Sequence, residues 1–168
     1  MKRLPVKDVI FLCLAVVVSI QSVHAEPDVL RRLLKSLEFA ETNKARLEFD
    51  CRENPIYKSN QRLVLLCSKG GRIPDYVIED AALPYLKKYV SAKMAAQAIE
   101  ILQTDIQRAL SNKLIQEIVS GKQDRLTAED IRLLRQRNES IYGQALSSFA
   151  SDKEQGSAVA RAMLNYEL

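Results

Sequence analysis

Between Met94 and Ile118 apolar residues return at steps of three and four, and no other feature limits the fold of this chain as strongly. Met94, Ala95, Ala98, Ile99, Leu102, Ile106, Ala109, Leu110, Leu114, Ile115 and Ile118 form one stripe of about seven turns, with Ser91 placed to cap its start and Gly121 to end it. Strands alternate with a period of two, so this spacing calls for a helix with one buried face. The polar face mixes both signs of charge, whereas a helix lying on a membrane surface would be mostly basic. The stripe is therefore read as core.

Neighbouring segments carry the same signature. Val29, Leu30, Leu33, Leu34, Leu37 and Ala40 predict one helix from Asp28, its N-cap, to about Arg46. Val77, Ile78, Ala81, Leu83 and Leu86 predict a helix from Asp75 to Tyr89, which Pro84 should kink or divide. Thr127-Ala-Glu-Asp130 reads as a capping box that opens a stripe of Ile131, Leu134, Ile141, Tyr142, Ala145, Leu146 and Phe149. After a break over Ser151 to Gly156, Ala158, Ala162 and Met163 suggest a last helix. The segment from Val90 to Leu110 aligns without gaps to that from Leu126 to Leu146, as two similar amphipathic helices or a duplicated hairpin would. The expected fold is all-α, one domain over residues 26–168 built as a bundle of about four to six helices.

The stretch from Leu47 to Arg72 is different. Asn54-Pro55, Ser59-Asn60 and Gly70-Gly71 are turn signals, and Cys51 and Cys67 sit between them. Leu63 to Leu66 fits either a short strand or a turn or two of helix. A pair of cysteines in an exported chain predicts a structural disulfide, which over a loop of about 16 residues is worth about 3 kcal/mol. A redox or metal pair would need a Cys-x-x-Cys spacing or further ligands, and neither is present. We expect an irregular segment over residues 47–72, tied down by this bridge.

Export is read from the N-terminus. Lys2, Arg3 and Lys7 form a basic region, Val9 to Ile20 an apolar one, and Ser22-Val23-His24-Ala25 a site for cleavage between Ala25 and Glu26. The apolar run, about 12 residues, is shorter than the roughly 18–20 a membrane-spanning helix needs. Cys13 follows Phe11-Leu12, where lipidation would require small residues. Residues 1–25 are thus expected to be a signal peptide and the mature protein periplasmic or secreted, without stable membrane insertion. The formal charge of +4 falls once that basic region leaves, and the remaining charges are interleaved, so no nucleic-acid partner is expected.

Leu126-Thr127-Ala128-Glu129-Asp130-Ile131, followed by Glu139-Ser140 and Gly143-Gln144, resembles a bacterial exported family, the domain of unknown function numbered 2059. Its signature joins a Phe-Thr-Glu-Glu-Glu-Leu-like helix start to a downstream Phe-Tyr-x-Ser-Pro-x-Gly-x-Lys. Arg137-Asn138 stand in place of the aromatic pair and Ile141 in place of the proline. The resemblance implies a small helical exported protein and brings no catalytic residues. Without the proline, a less interrupted helix is expected from Thr127 to about Ser148.

Few catalytic constellations fit. His24 is the only histidine and leaves with the signal, so no Ser–His or Cys–His pair can form in the mature chain. No Ser-x-x-Lys context stands out, Gly70-Gly71 reads as a turn, and the carboxylates near Asp152 and Glu154 lack the spacing of a calcium loop. Glu139-Ser140 is the best enzyme candidate, since lytic transglycosylases use such a pair, but a chain with no Trp has little to stack on sugar rings. Asn138-Glu-Ser140 fits a glycosylation acceptor pattern. Arg125, Arg132, Arg135 and Arg137 form a basic cluster suited to an acidic partner. No cofactor or metal is expected. The leading expectation is a non-enzymatic binding protein of the bacterial envelope, accessory, chaperone-like or inhibitory, with another envelope protein as partner. Its contact surface would be a groove between the long helices or the Cys51–Cys67 loop. The alternatives are a carboxylate-dependent cell-wall glycan hydrolase or lyase and a carrier of a small apolar ligand.

Overall fold

The computed structural model describes residues 26–122 and 124–167, and every regular element among them is helical. The proposed signal peptide, with Cys13, His24 and Ala25, lies outside the described residues. In chain order the helices are α1 (26–36), α2 (Phe39–Glu53), α3 (Ile56–Ser59), α4 (Gln61–Lys69), α5 (Asp75–Tyr89), α6 (Ala92–Leu102), α7 (Asp105–Ser120), α8 (Ala128–Glu139), α9 (Ile141–Ala150) and α10 (Lys153–Asn165). A 3-10 turn, Gly70–Arg72, joins α4 to α5.

Helix α5 is central. Its Ile78, Ala82 and Leu86 are fully buried, and it packs most extensively on α10, then on α9 and α2. Leu30, Leu33 and Leu34 of α1, Ala95 and Ala98 of α6 and Phe149 of α9 close the same core. Each fully buried leucine or isoleucine contributes about 1.5–3 kcal/mol. Helix α7 lies against α2 on one flank, and α8 folds back on α9. No described helix is long and apolar enough to cross a membrane.

The all-α bundle matches the sequence reading, while three of the long helices are interrupted. Instead of one helix over residues 28–46, the chain breaks at Leu37-Glu38, where Glu38 takes the left-handed conformation at φ 50°. Asp28 lies within α1 and is not its cap. The long stripe after Ser91 divides at Gln103-Thr104. An unbroken helix would keep Ile106 on the buried face behind Ile99 and Leu102. After the break Ile106 is 64% exposed, and Gln107 and Leu110 point inward. No Gly or Pro marks this site; α6 packs on α9 while α7 lies along α2.

The uninterrupted helix expected over residues 127–148 is likewise two helices. Ser140 ends α8 in an extended conformation and caps α9, its hydroxyl accepting from the Gly143 amide at 3.1 Å. Ser140 thus supplies the break that the missing proline seemed to remove. Ile131 and Ile141, placed on the core stripe by spacing, are 49% and 78% exposed. Pro84, by contrast, does not divide α5. Both Pro84 and Asp80 are exposed, so the Asp80 carbonyl deprived of its usual donor faces solvent.

The cysteine segment is interrupted but not structureless. Cys51 on α2 and Cys67 on α4 form a disulfide with Cα atoms 5.8 Å apart, and the intervening turns separate short helices. Leu63 to Leu66 is helical. Asn60 decides this locally, its side chain capping α4 through the amides of Arg62 and Leu63. Gly70 adopts φ +41° where the chain turns toward α5.

Candidate functional site

A half-open cavity of about 490 Å³ lies where the end of α1, the start of α2, the second half of α7 and the α8–α9 corner meet. Leu114, Ile115 and Ile118 of α7 form one wall and Leu146 and Phe149 of α9 another. Phe39 packs against Phe149 with ring centroids 5.5 Å apart, backing the cavity. The helix breaks make this space: the Glu38 turn presents Leu37 and Phe39 to it, and the Ser140 turn sets α9 at an angle to α8. The size falls in the roughly 300–1,000 Å³ range of small-molecule sites, which are mostly apolar with a few polar groups.

Arg137 is the only charged side chain on this lining. It lies on the last turn of α8, and its backbone carbonyl accepts from the Ser140 hydroxyl at 2.6 Å. Burial pulls its guanidinium below the usual arginine pKa, with Tyr142 nearby acting in the opposite direction. The other three arginines of the basic cluster are placed differently. Arg132 binds Glu129 through two hydrogen bonds of 2.8 and 2.6 Å, and Arg125 donates to Gln116 at 2.7 Å. Arg135 is exposed.

A carboxylate network fixes α8. Asp130 Oδ2 accepts from the Lys113 ammonium at 2.7 Å, the Thr127 amide at 2.8 Å and the Thr127 hydroxyl at 2.7 Å, and the Asp130 amide returns a bond to Thr127 Oγ1. These bonds, led by the one from Lys113, hold its carboxyl down at about 2. The capping box is present as predicted, and the addition is Lys113, which ties the start of α8 to α7. Glu117 reinforces the tie by accepting from the backbone amides of Arg125 and Leu126. Sequence spacing alone does not reveal Lys113 or Glu117, because their partners lie across a turn.

Glu139 is exposed at the end of α8, and its side chain makes no ion pair or hydrogen bond among the described residues. Asn138, the acceptor of the glycosylation pattern, lines the cavity from the same turn. Among the described residues no group of three or more cysteine or carboxylate side chains is placed to hold a metal ion. A second concavity of about 690 Å³ lies beside the disulfide. Glu41, Glu48, Lys44 and Arg52 line it together, so it favours a ligand of neither sign.

No family model, curated protein or solved structure matches the chain.

Proposed function

We propose that the chain is an exported, non-enzymatic binding protein of the bacterial envelope, and that it carries a small apolar ligand in the cavity between α2, α7 and the α8–α9 corner. One observation carries this reading: apolar side chains from separate helices surround a partly open space large enough for a ligand, where a bundle of this size would ordinarily close up. The signal-peptide pattern and the disulfide support export. The glycan-cleaving alternative has less support, because Glu139 stands exposed at the end of α8 and does not line the cavity.

Fluorescence titration with the neutral probe N-phenylnaphthylamine tests the reading. Saturable binding to a single site is expected, and Ser147→Trp, which fills the cavity from its exposed rim, should abolish it. Absence of saturable binding, or binding unchanged by Ser147→Trp, would remove the cavity from the function.

A second reading, a protein partner, has its own observation. Ile56, Val64 and Leu65 are 58%, 46% and 52% exposed, and all lie in the disulfide-tied segment. Replacing all three by serine leaves the core intact and should release a co-purifying partner if this face binds one.

A further inference from the structure

Within the binding reading just given, on which this inference rests, the lining of the cavity also constrains the chemistry of its occupant. Leu114, Ile118, Leu146 and Phe149 offer an apolar tail no polar contact, while Arg137 brings one full positive charge to the same space. No acidic side chain shares the lining, so an entering anion meets no repulsion. Among the described residues the Arg137 guanidinium has neither an ion-pair partner nor a hydrogen-bond acceptor, unlike Arg132, which is paired with Glu129. The guanidinium is partly, not fully, withdrawn from water, and a ligand carboxylate would offset the cost of that partial desolvation. The guanidinium is also the side chain best shaped for two parallel bonds to a carboxylate.

We infer that the cavity takes a monomeric single-chain amphiphile with a carboxylate head, its tail lying between α7 and α9 and its head paired with Arg137. The lining fits this occupant: Leu114, Ile118, Leu146 and Phe149 offer the tail apolar contact, and Arg137 with Asn138 at the last turn of α8 offers the head polar contact.

The test is isothermal titration calorimetry on the mature, disulfide-bonded chain. Its ligands are decanoate and decyltrimethylammonium, each below its micelle concentration, and decanol, below its solubility limit; they share a tail and differ in head charge. Decanoate is expected to bind tightest and decyltrimethylammonium weakest. Arg137→Gln should weaken decanoate by about ten- to a hundredfold and leave decanol within about twofold, and Arg137→Lys should fall between. If Arg137→Gln does not fold, the ranking of the three ligands on the unaltered chain still decides.

Equal affinity for decanoate and decanol, with N-phenylnaphthylamine still bound, would overturn the carboxylate assignment and leave the apolar carrier standing. Loss of all binding, the neutral probe included, would remove both. Capture by anionic vesicles without binding of monomeric decanoate would also overturn the inference, since it would make the positive charge a membrane contact.

Discussion

Gly143, in the first turn of α9, sits directly against the carbonyl of Arg137 at the end of α8, so closely that a Cβ built on Gly143 would collide with that oxygen. The contact is to backbone, which cannot rotate away as a side chain could. The corner that presents Arg137 to the cavity therefore depends on the absence of a single methyl group.

Gly143→Ala should destabilise the protein by about 1–3 kcal/mol, the range for a methyl forced into occupied space. Gly156→Ala is the control. Gly156 lies within α10 with nothing near its Cβ position, so alanine there should stabilise by about 0.5–1 kcal/mol. Urea denaturation of the two variants should give opposite signs. Two losses, or two gains, would contradict the close approach.

Glu38 is, among the described residues, the one non-glycine with positive φ, and one of its carboxylate oxygens is buried without a partner. Burial, with Glu41 adding to it, raises the pKa of this carboxyl. Left-handed backbone costs a residue with a Cβ about 1–2 kcal/mol. Glu38→Gly should therefore raise stability by about 1 kcal/mol after its extra chain entropy is counted. A measured loss would mean that the Glu38 side chain holds the α1–α2 turn through contacts of its own.

Asp130 sets a pH dependence. Its carboxyl is depressed from 3.8 to about 2 in the folded protein, so the unfolded chain binds the proton more readily. The stability this provides is fully present above about pH 4 and is lost as pH falls through 2. Asp130→Asn should lower stability at pH 7, and the gap from the unaltered protein should narrow below about pH 4 and close below about pH 2. Thermal unfolding across that range gives the comparison, and a gap independent of pH would rule out the ion pair with Lys113 as its source.

Much of the fold is legible from spacing alone, and the reason is visible in particular residues. Leu30, Leu33, Leu34, Ile78 and Leu86 fall on predicted stripes and are fully buried, because helical periodicity records which face meets the core. Ser91 and Thr127 cap their helices as their side chains indicate. The break at Glu38 has no such local mark, and at Gln103-Thr104 the cap-type Thr104 precedes Asp105 but makes no side-chain capping bond. At Gln103-Thr104 the two helices pack on different partners, α6 on α9 and α7 on α2, a tertiary demand that overrides continuing helix propensity. Ser140 did carry a local signal, since it can cap α9, but Ile141 and Tyr142 extend the stripe across it. The cavity follows from these breaks and so was not legible, and Arg137 read only as one member of a basic cluster.

The disulfide carries a quantitative expectation. Cys51→Ser combined with Cys67→Ser should lower stability by about 3 kcal/mol, and reducing the unaltered protein should give a loss of similar size. A much smaller effect would show that the α2–α4 contact holds the segment without the bridge.

Helix α3 lies wholly between the two cysteines, with Lys58 and Arg62 exposed on either side of Asn60. A protease that cuts after Lys58 opens the peptide chain there but frees no fragment, because sulfur still joins the two pieces. Until it meets a reductant, the nicked protein travels as one molecule, heavier by a single water, with α2 still fastened to α4. A single cut between the cysteines therefore leaves the chain in one piece.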